Sequence, residues 1–445
     1  MRLRVPHPFV LLLAGVLVAM VLTYILPSGE FARQLDPATE REVVVPGTYE
    51  RVAAEPVTPF GAAVAIPRGL IEAADVVFLV FLVGGAFTVV DRTGALRRAF
   101  ERLVTALAHR ELLVIPIAAL AFATGGALEN MQEEIIALVP VLLLLVTRLG
   151  FDPVVAVAMS AGAAMVGSAF SPINPFQVQI AQKVAGVPLL SGSGFRLVFL
   201  ALALVIWIAA TMWYARRNRV TAVAAVEGEG EPIRTSDLVV LALVLAAFAI
   251  YVYGVISLGW GFNELAAIFF VMGLLAGIIG GLRLGGTTDA FLDGFRDMAF
   301  AAILIGFARA IYVVLNDGRV IDTIVAGLAQ PLGSMPQEAA AVGMVGVQAL
   351  IHFAVPSVSG QAVLTLPIMA PLGDLLGISR QVSILAYQYG AGLAELFVPT
   401  NGALMAILAS AGVGYGRWLK FVVPVYAALA VLGIVSIFIA MAIGL

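Results

Sequence analysis

The chain has 445 residues, of which 61% are hydrophobic and only 12% charged, about half the charge of an ordinary soluble domain. A soluble globule is excluded, and repeated apolar runs of about 20 residues indicate a polytopic α-helical membrane protein. The net charge of −3 resides in loops, with no basic patch to suggest nucleic acid, and the absence of cysteine excludes a disulfide framework, thiolate chemistry and a Cys-built metal site.

In chain order, Phe9–Leu26 is the first span. Arg2 and Arg4 before it place the N-terminus in the cytoplasm. Without a small-residue cleavage site, the run reads as a retained helix rather than a signal peptide. The polar stretch Pro27–Pro67 reads as a solvated external loop. Span two covers about Ala74–Val90, followed by an arginine-rich amphipathic segment, 91–102, expected to lie flat in the cytoplasmic interface. Two short apolar arms, Leu112–Ala127 and Ile135–Val146, then flank Glu129-Asn130-Met131-Gln132-Glu133-Glu134. Arg110 and Arg148 at their outer ends favour a re-entrant hairpin from the cytoplasm over two short tilted spans.

A broken helix, Pro153–Ala185, runs outward and Phe195–Tyr214 returns. Residues 220–236 read as a flexible cytoplasmic linker. Leu238–Ile256 and Glu264–Ile279 follow, then an interfacial segment Asp289–Asp297 and the span Met298–Leu315. Arg319–Leu332 mirrors the earlier flat helix. Arms near Ala339–Ala354 and Val363–Leu376 make a second hairpin, a broken helix Val382–Ala411 runs inward, and Phe421–Leu445 is the last span. The expected fold is all-α, with about nine transmembrane helices, two opposed re-entrant hairpins and an inverted repeat.

The repeat is visible in the residues. At a constant offset of 227 positions, Pro140 matches Pro367, Gly150 matches Gly377, Phe170 matches Phe397, Pro172 matches Pro399 and Asn174 matches Asn401. Ser171-Pro172-Ile173-Asn174-Pro175 and Val398-Pro399-Thr400-Asn401-Gly402 each interrupt an apolar helix, because proline removes a backbone donor and clashes with the preceding turn. Irregular backbone at membrane depth survives only where it is buried in protein or lines a wet cavity. Paired breaks in corresponding halves point to a transporter's binding site.

Near the tips and breaks lie Glu129, Glu133, Glu134 and Glu395, with Asn130, Gln132, Ser171, Asn174, Ser357, Ser359, Gln361, Thr400 and Asn401. An acid at bilayer depth costs about 2.5–3.5 kcal/mol on insertion scales, so such residues are read as functional. Four together suggest cation handling, whether Na⁺, H⁺ or a substrate ammonium. Glu129 is equally well placed at a wet edge of the tip. Arg309, the basic residue in the middle of a span, either pairs with a glutamate such as Glu395 or clamps a substrate carboxylate. His352 reads as a hydrogen-bonded core histidine.

Met131-Gln132-Glu133-Glu134 with Pro140, Ser171 to Phe176, Gly306 to Arg309, Pro356 to Ala362 with Leu366 to Pro371, and Pro399 to Gly402 together resemble the YfcC family. That family sits in the C4-dicarboxylate anaerobic carrier group of the ion transporter superfamily. The resemblance implies an elevator-type secondary transporter, usually a homodimer. The hairpins and broken helices (109–186 and 336–414) would form a mobile transport domain, and 1–108, 187–335 and 415–445 a scaffold. It implies solute binding at Asn130, Glu133, Glu134, Asn174, Ser357, Ser359, Gln361, Thr400 and Asn401, with Arg309 added from the residue reading. Glu129, Ser171, Pro172, Glu395 and Pro399 are candidates for cation coupling, and a bound Na⁺ is the only cofactor considered. Ile135 and Ile173 depart from the family pattern, where hydroxyl residues are expected.

Four acids facing one arginine suit an amino acid, basic ones included, better than a dianion, which would need several basic partners. The expected protein is therefore an amino acid transporter of a bacterial-type inner membrane, by exchange or net movement, with a carboxylate carrier as the alternative. A membrane enzyme built on a carboxylate-bound metal would lack histidine ligands, and a channel would need a continuous pore.

Overall fold

The computed structural model describes residues 8–36, 41–45, 47–96, 98–99, 111–221, 233–258, 260 and 262–445. The basic N-terminus, residues 97 and 100–102 of the amphipathic segment and the acidic centre of the linker lie outside those residues.

One layer is built on a single 35-residue helix. Helix α1 (Pro8–Ile25) leads to two small antiparallel ribbons, in which β1 (Gly29–Glu30) pairs with β4 (Glu50–Arg51) and β2 (Arg33–Asp36) with β3 (Arg41–Val44). The connector is thus more ordered than a solvated loop. Its end is also helical: Thr58 accepts from Gly61 N at 3.0 Å and Pro59 occupies the first turn, so α2 (Pro59–Glu72) begins eight residues before the expected end of the loop. Helix α3 (Ala74–Arg92) follows directly.

The second half of the chain contributes α11 (Arg283–Asp317), and α1, α2 and α3 all pack on it. The expected break between an interfacial 289–297 and a span from 298 is absent. Asp293 is held by Arg92 and Arg296, so those charges ride on the edge of one continuous helix. At Gly69 of α2 a Cβ would lie 2.5 Å from Gly306 O of α11, so small residues set that close approach.

The other layer contains the two arms and the broken helix of each half. In the first half these are α4 (Val114–Glu129), α5 (Glu133–Arg148), α6 (Pro153–Ala169, with a π-turn at Ala158–Gly162) and α7 (Ile180–Val184). Next come α8 (Ser193–Arg217), α9 (Thr235–Leu258) and α10 (Phe262–Ile279). After α11 and the short α12 (Ile321–Ala329), the second half has α13 (Gln337–Ala354), α14 (Val358–Leu375), α15 (Arg380–Tyr387, running into a π-turn at Gln388–Gly392) and α16 (Gly402–Ser410). Helix α17 (Tyr415–Ala442) closes the chain.

Packing follows the same rule in both halves. The first arm lies on its own broken helix, α4 on α6 and α13 on α15. The far segment of each broken helix lies on the other half's second arm, α7 on α14 and α16 on α5. The broken helices meet where the Phe170 and Tyr389 rings sit 4.7 Å apart and Gln388 Nε2 donates to Ser171 O at 3.1 Å. Six helices among the described residues are long and apolar enough to cross a bilayer: α3, the 111–128 arm, α8, α10, α11 and α17.

Two tests follow. At Gly167 of α6 a Cβ would lie 2.1 Å from Ala123 O of α4, so Gly167→Ala should lower thermal stability in detergent by about 1–3 kcal/mol of overpacking. Gly346→Ala, on an open face of α13, should leave it unchanged or slightly raised. Asp152 caps α6 through Val154 N at 2.9 Å and also pairs with Arg417. Asp152→Ala should therefore cost about 0.5–2 kcal/mol for the cap alone, with Asp152→Asn, which keeps an acceptor at the cap, closer to wild type in the same melting assay.

Candidate functional site

The site begins with the unpaired backbone at the two helix breaks. In the first, Ser171 Oγ donates to Ala127 O at 2.7 Å and accepts from Ile173 N at 3.1 Å and Asn174 N at 2.8 Å. Asn174 donates to Gly126 O at 2.8 Å while its Oδ1 accepts from Phe176 N and Gln177 N, both at 2.9 Å. These two side chains supply locally what the lost helical bonds would have satisfied. In the second break, Asn401 caps α16 by accepting from Leu404 N at 3.1 Å. Its Nδ2 donates to Gln132 Oε1 at 3.1 Å, and Gln132 Nε2 donates to Glu395 Oε2 at 2.5 Å. The tip of the first half is thereby tied to the break of the second.

Around this junction lies a chamber of about 560 Å³. The first tip contributes Asn130, Gln132, Glu133 and Glu134. The second tip contributes Pro356, Ser357 and Ser359, and the second break adds Glu395, Thr400 and Asn401. The facing layer supplies Glu72, Asp75 and Arg309, with Tyr251, Trp260 and Phe262 along the apolar side. Asn130 takes the left-handed conformation, φ 57°, that ends α4, and its Oδ1 accepts from Ser168 Oγ at 2.5 Å. Ser357 caps α14 through Gly360 N at 3.3 Å. The N-termini of α5, α14 and α16 all open on the chamber. Thr400 Oγ1 is buried there without a hydrogen-bond partner.

Among the described residues, five carboxylates and one guanidinium line this space. Arg309 Nε donates to Glu72 Oε2 at 3.1 Å, and the guanidinium lies 4.7 Å from the Tyr312 ring centre. The ion pair with a glutamate, one of the two readings of Arg309, is thus present, but with Glu72; Glu395, the example named for it, is 4% exposed and held by Gln132. Among the described residues, no three acidic or histidine side chains gather as a metal cluster would, so the acids are spread around the wall.

A second cavity of about 380 Å³ lies on the other side of the second tip. It is walled by Glu30, Arg33, Arg319 and Asp322, and it shares Arg309, Pro356, Ser357 and Ser359 with the chamber.

Several expected residues sit elsewhere. Ser171, Pro172 and Asn174 lie behind the chamber wall, where they build the break, and Pro399 likewise shapes its break without lining the space. Gln361 faces the interior of its own arm pair, donating to Gln348 O at 2.7 Å and meeting His352 Nδ1 at 2.9 Å, because that position of α14 turns toward α13. The side chain of Glu129 lies outside the described residues. Sequence reasoning missed Glu72 and Asp75. They stand three apart at the start of the expected second span, and a search for the partner of Arg309 among acids at span ends would have found Glu72.

Comparison with known proteins identifies the family. The profile of the family described as "DcuC: C4-dicarboxylate anaerobic carrier" matches residues 5–442. The chain is 37% identical to the Escherichia coli protein named "Putative basic amino acid antiporter YfcC", over 78% of this chain and 74% of that one. It is 28% identical to an uncharacterised protein of Haemophilus influenzae, covering 96% of this chain and 95% of that one. Among solved structures, the Alcanivorax borkumensis YdaH transporter aligns over 99% of both chains at 18% identity and a TM-score of 0.45. With the tip and break motifs lying within a match that runs almost end to end, the chain belongs to the DcuC family of C4-dicarboxylate anaerobic carriers, a membrane transporter family in which YfcC is among its relatives.

Proposed function

We propose that this protein is a secondary transporter for an amino acid, with a cationic one fitting best, working by exchange and coupled to Na⁺ or H⁺. The observation that carries this reading is the charge of the chamber: Asp75, Glu133 and Glu395 remain once Glu72 is assigned to Arg309. A dianion in that space would face an excess of its own sign, whereas an ammonium is attracted to it. The solute carboxylate goes to the N-terminus of α16, where Thr400 Oγ1 lacks a partner and the helix dipole favours negative charge. The name carried by the Escherichia coli relative points the same way.

In this proposal, nine helices cross a bacterial inner membrane from a cytoplasmic N-terminus. The α4–α5 and α13–α14 pairs are re-entrant hairpins entering from opposite faces, and the halves are inverted copies. The layer of hairpins and broken helices moves as an elevator against the layer built on α11, in a homodimer. The reciprocal packing of arms and broken helices supports this arrangement.

The direct test is uptake by purified protein in liposomes. Labelled lysine, arginine or ornithine should be taken up and should compete with one another. Uptake of succinate or fumarate that cationic amino acids leave untouched would establish the carboxylate reading instead, with the solute held by the helix N-termini alone. Thr400→Ala should raise the KM for the amino acid about tenfold, the loss of one hydrogen bond to a charged group, with unchanged protein yield.

A further inference from the structure

We propose that Glu395 is the site at which a proton and the solute's cationic group replace one another, so that coupling is by competition for one carboxylate. This rests on the amino acid reading of the chamber and goes beyond it in naming the coupling ion and the residue that carries it.

The amide chain at the junction sets the chemistry of that carboxyl group. Asn401 Oδ1 is committed to Leu404 N, so its NH₂ faces Gln132 Oε1; the NH₂ of Gln132 is then turned toward Glu395 Oε2. Oε2 is thus an acceptor in every charge state, which leaves Oε1 as the position for a proton when the group carries one.

Among the described residues, the surroundings contain nothing else to neutralise the group. From α5 come Glu133 and Glu134, from the start of α3 Asp75, and from α2 Glu72, all acids. Arg309 of α11 is engaged by Glu72 at 3.1 Å. Helix α16 carries no charged residue. From α17 the contacts near the break are neutral donors, the Tyr415 hydroxyl to Phe397 O and Trp418 Nε1 to Leu396 O at 2.7 Å, while Arg417 is paired with Asp152. His352 of α13 is turned to Gln361. Glu395 is 4% exposed and has no cation within ion-pair distance among the described residues. A buried carboxylate so placed needs a proton or a cationic group brought by the solute. The partnerless Thr400 Oγ1 in the same wall is the independent sign that a ligand completes this chamber.

The exchange balances simply. An arriving ammonium pairs with ionised Glu395, and the proton that was on Oε1 leaves to water in the chamber; departure of the solute reverses both steps. By linkage, each occupant lowers the other's affinity by the same factor. The bond from Gln132 is charge-assisted when solute is bound and weaker when the proton is bound, so occupancy is reported to the first tip.

Proton release on solute binding is the test, followed with a pH indicator in weakly buffered detergent solution as lysine or arginine is added. Wild type should release about one proton per solute bound, with affinity tightening up to about tenfold per pH unit as pH rises. Glu395→Gln, which keeps the acceptor for Gln132, should bind more weakly, release no proton and lose the pH dependence, whereas Glu133→Gln should retain release. Binding by wild type without release, or release that persists in Glu395→Gln and vanishes in Glu133→Gln, would overturn the assignment. A solute-free readout separates the two readings: an infrared difference spectrum between acidic and alkaline protein should show a carboxylic C=O band that Glu395→Gln lacks. Failure of any amino acid to bind while that band behaves as expected would sink the solute, not the proton site, and an unchanged band would sink the proton site.

Discussion

The structure depends on how a chain that breaks two helices inside an apolar slab satisfies the backbone it exposes. Each break leaves donors and acceptors that lipid cannot meet. In the first break the answer is local, with Ser171 and Asn174 folding back on the end of α4. In the second it is long-range, because Asn401 divides its amide between its own helix and Gln132 of the other half. The two halves are therefore joined by hydrogen bonds that neither could make alone, and the chamber is the space that remains where those bonds are made.

Charge is distributed around that space in an ordered way. The layer built on α11 carries one ion pair, Arg309 with Glu72, and adds the carboxylate of Asp75 at the start of α3. The opposing wall places Glu133, Glu134 and Glu395 beside three helix N-termini. Acids and positive dipole ends line one cavity, which thereby offers contacts to groups of either sign. Small residues complete the division of labour: at Gly69 and Gly167 the close approach of two backbones excludes any side chain and fixes the register of helices within each layer.

Most of this architecture was legible in the sequence because proline, glycine and asparagine are costly to place in an apolar helix. The breaks at Pro172 and Pro399, the polar tips and the apolar arms were all marked by such residues. The chemistry of individual side chains was less legible. Gln361 and Asn174 were read as facing solute because they are polar and deep, yet both are spent on satisfying neighbours. Polarity at depth signals a need for a partner, and sequence alone does not say whether that partner is protein or solute. Glu72 went unnoticed for a related reason: α2 starts inside a stretch whose glutamates and prolines look like loop, and only the packing against α11 makes it a helix.

The contact between α4 and α6 has a mechanical consequence. Gly126 and Gly167 bring the two main chains together so closely that a single methyl group would strike a carbonyl oxygen on the opposite helix. Sliding one along the other would carry bulkier neighbours into that gap, so arm and broken segment form one rivet-locked plate. Any rearrangement on that side is therefore confined to the short turn at residues 130–132 or involves arm and broken segment together.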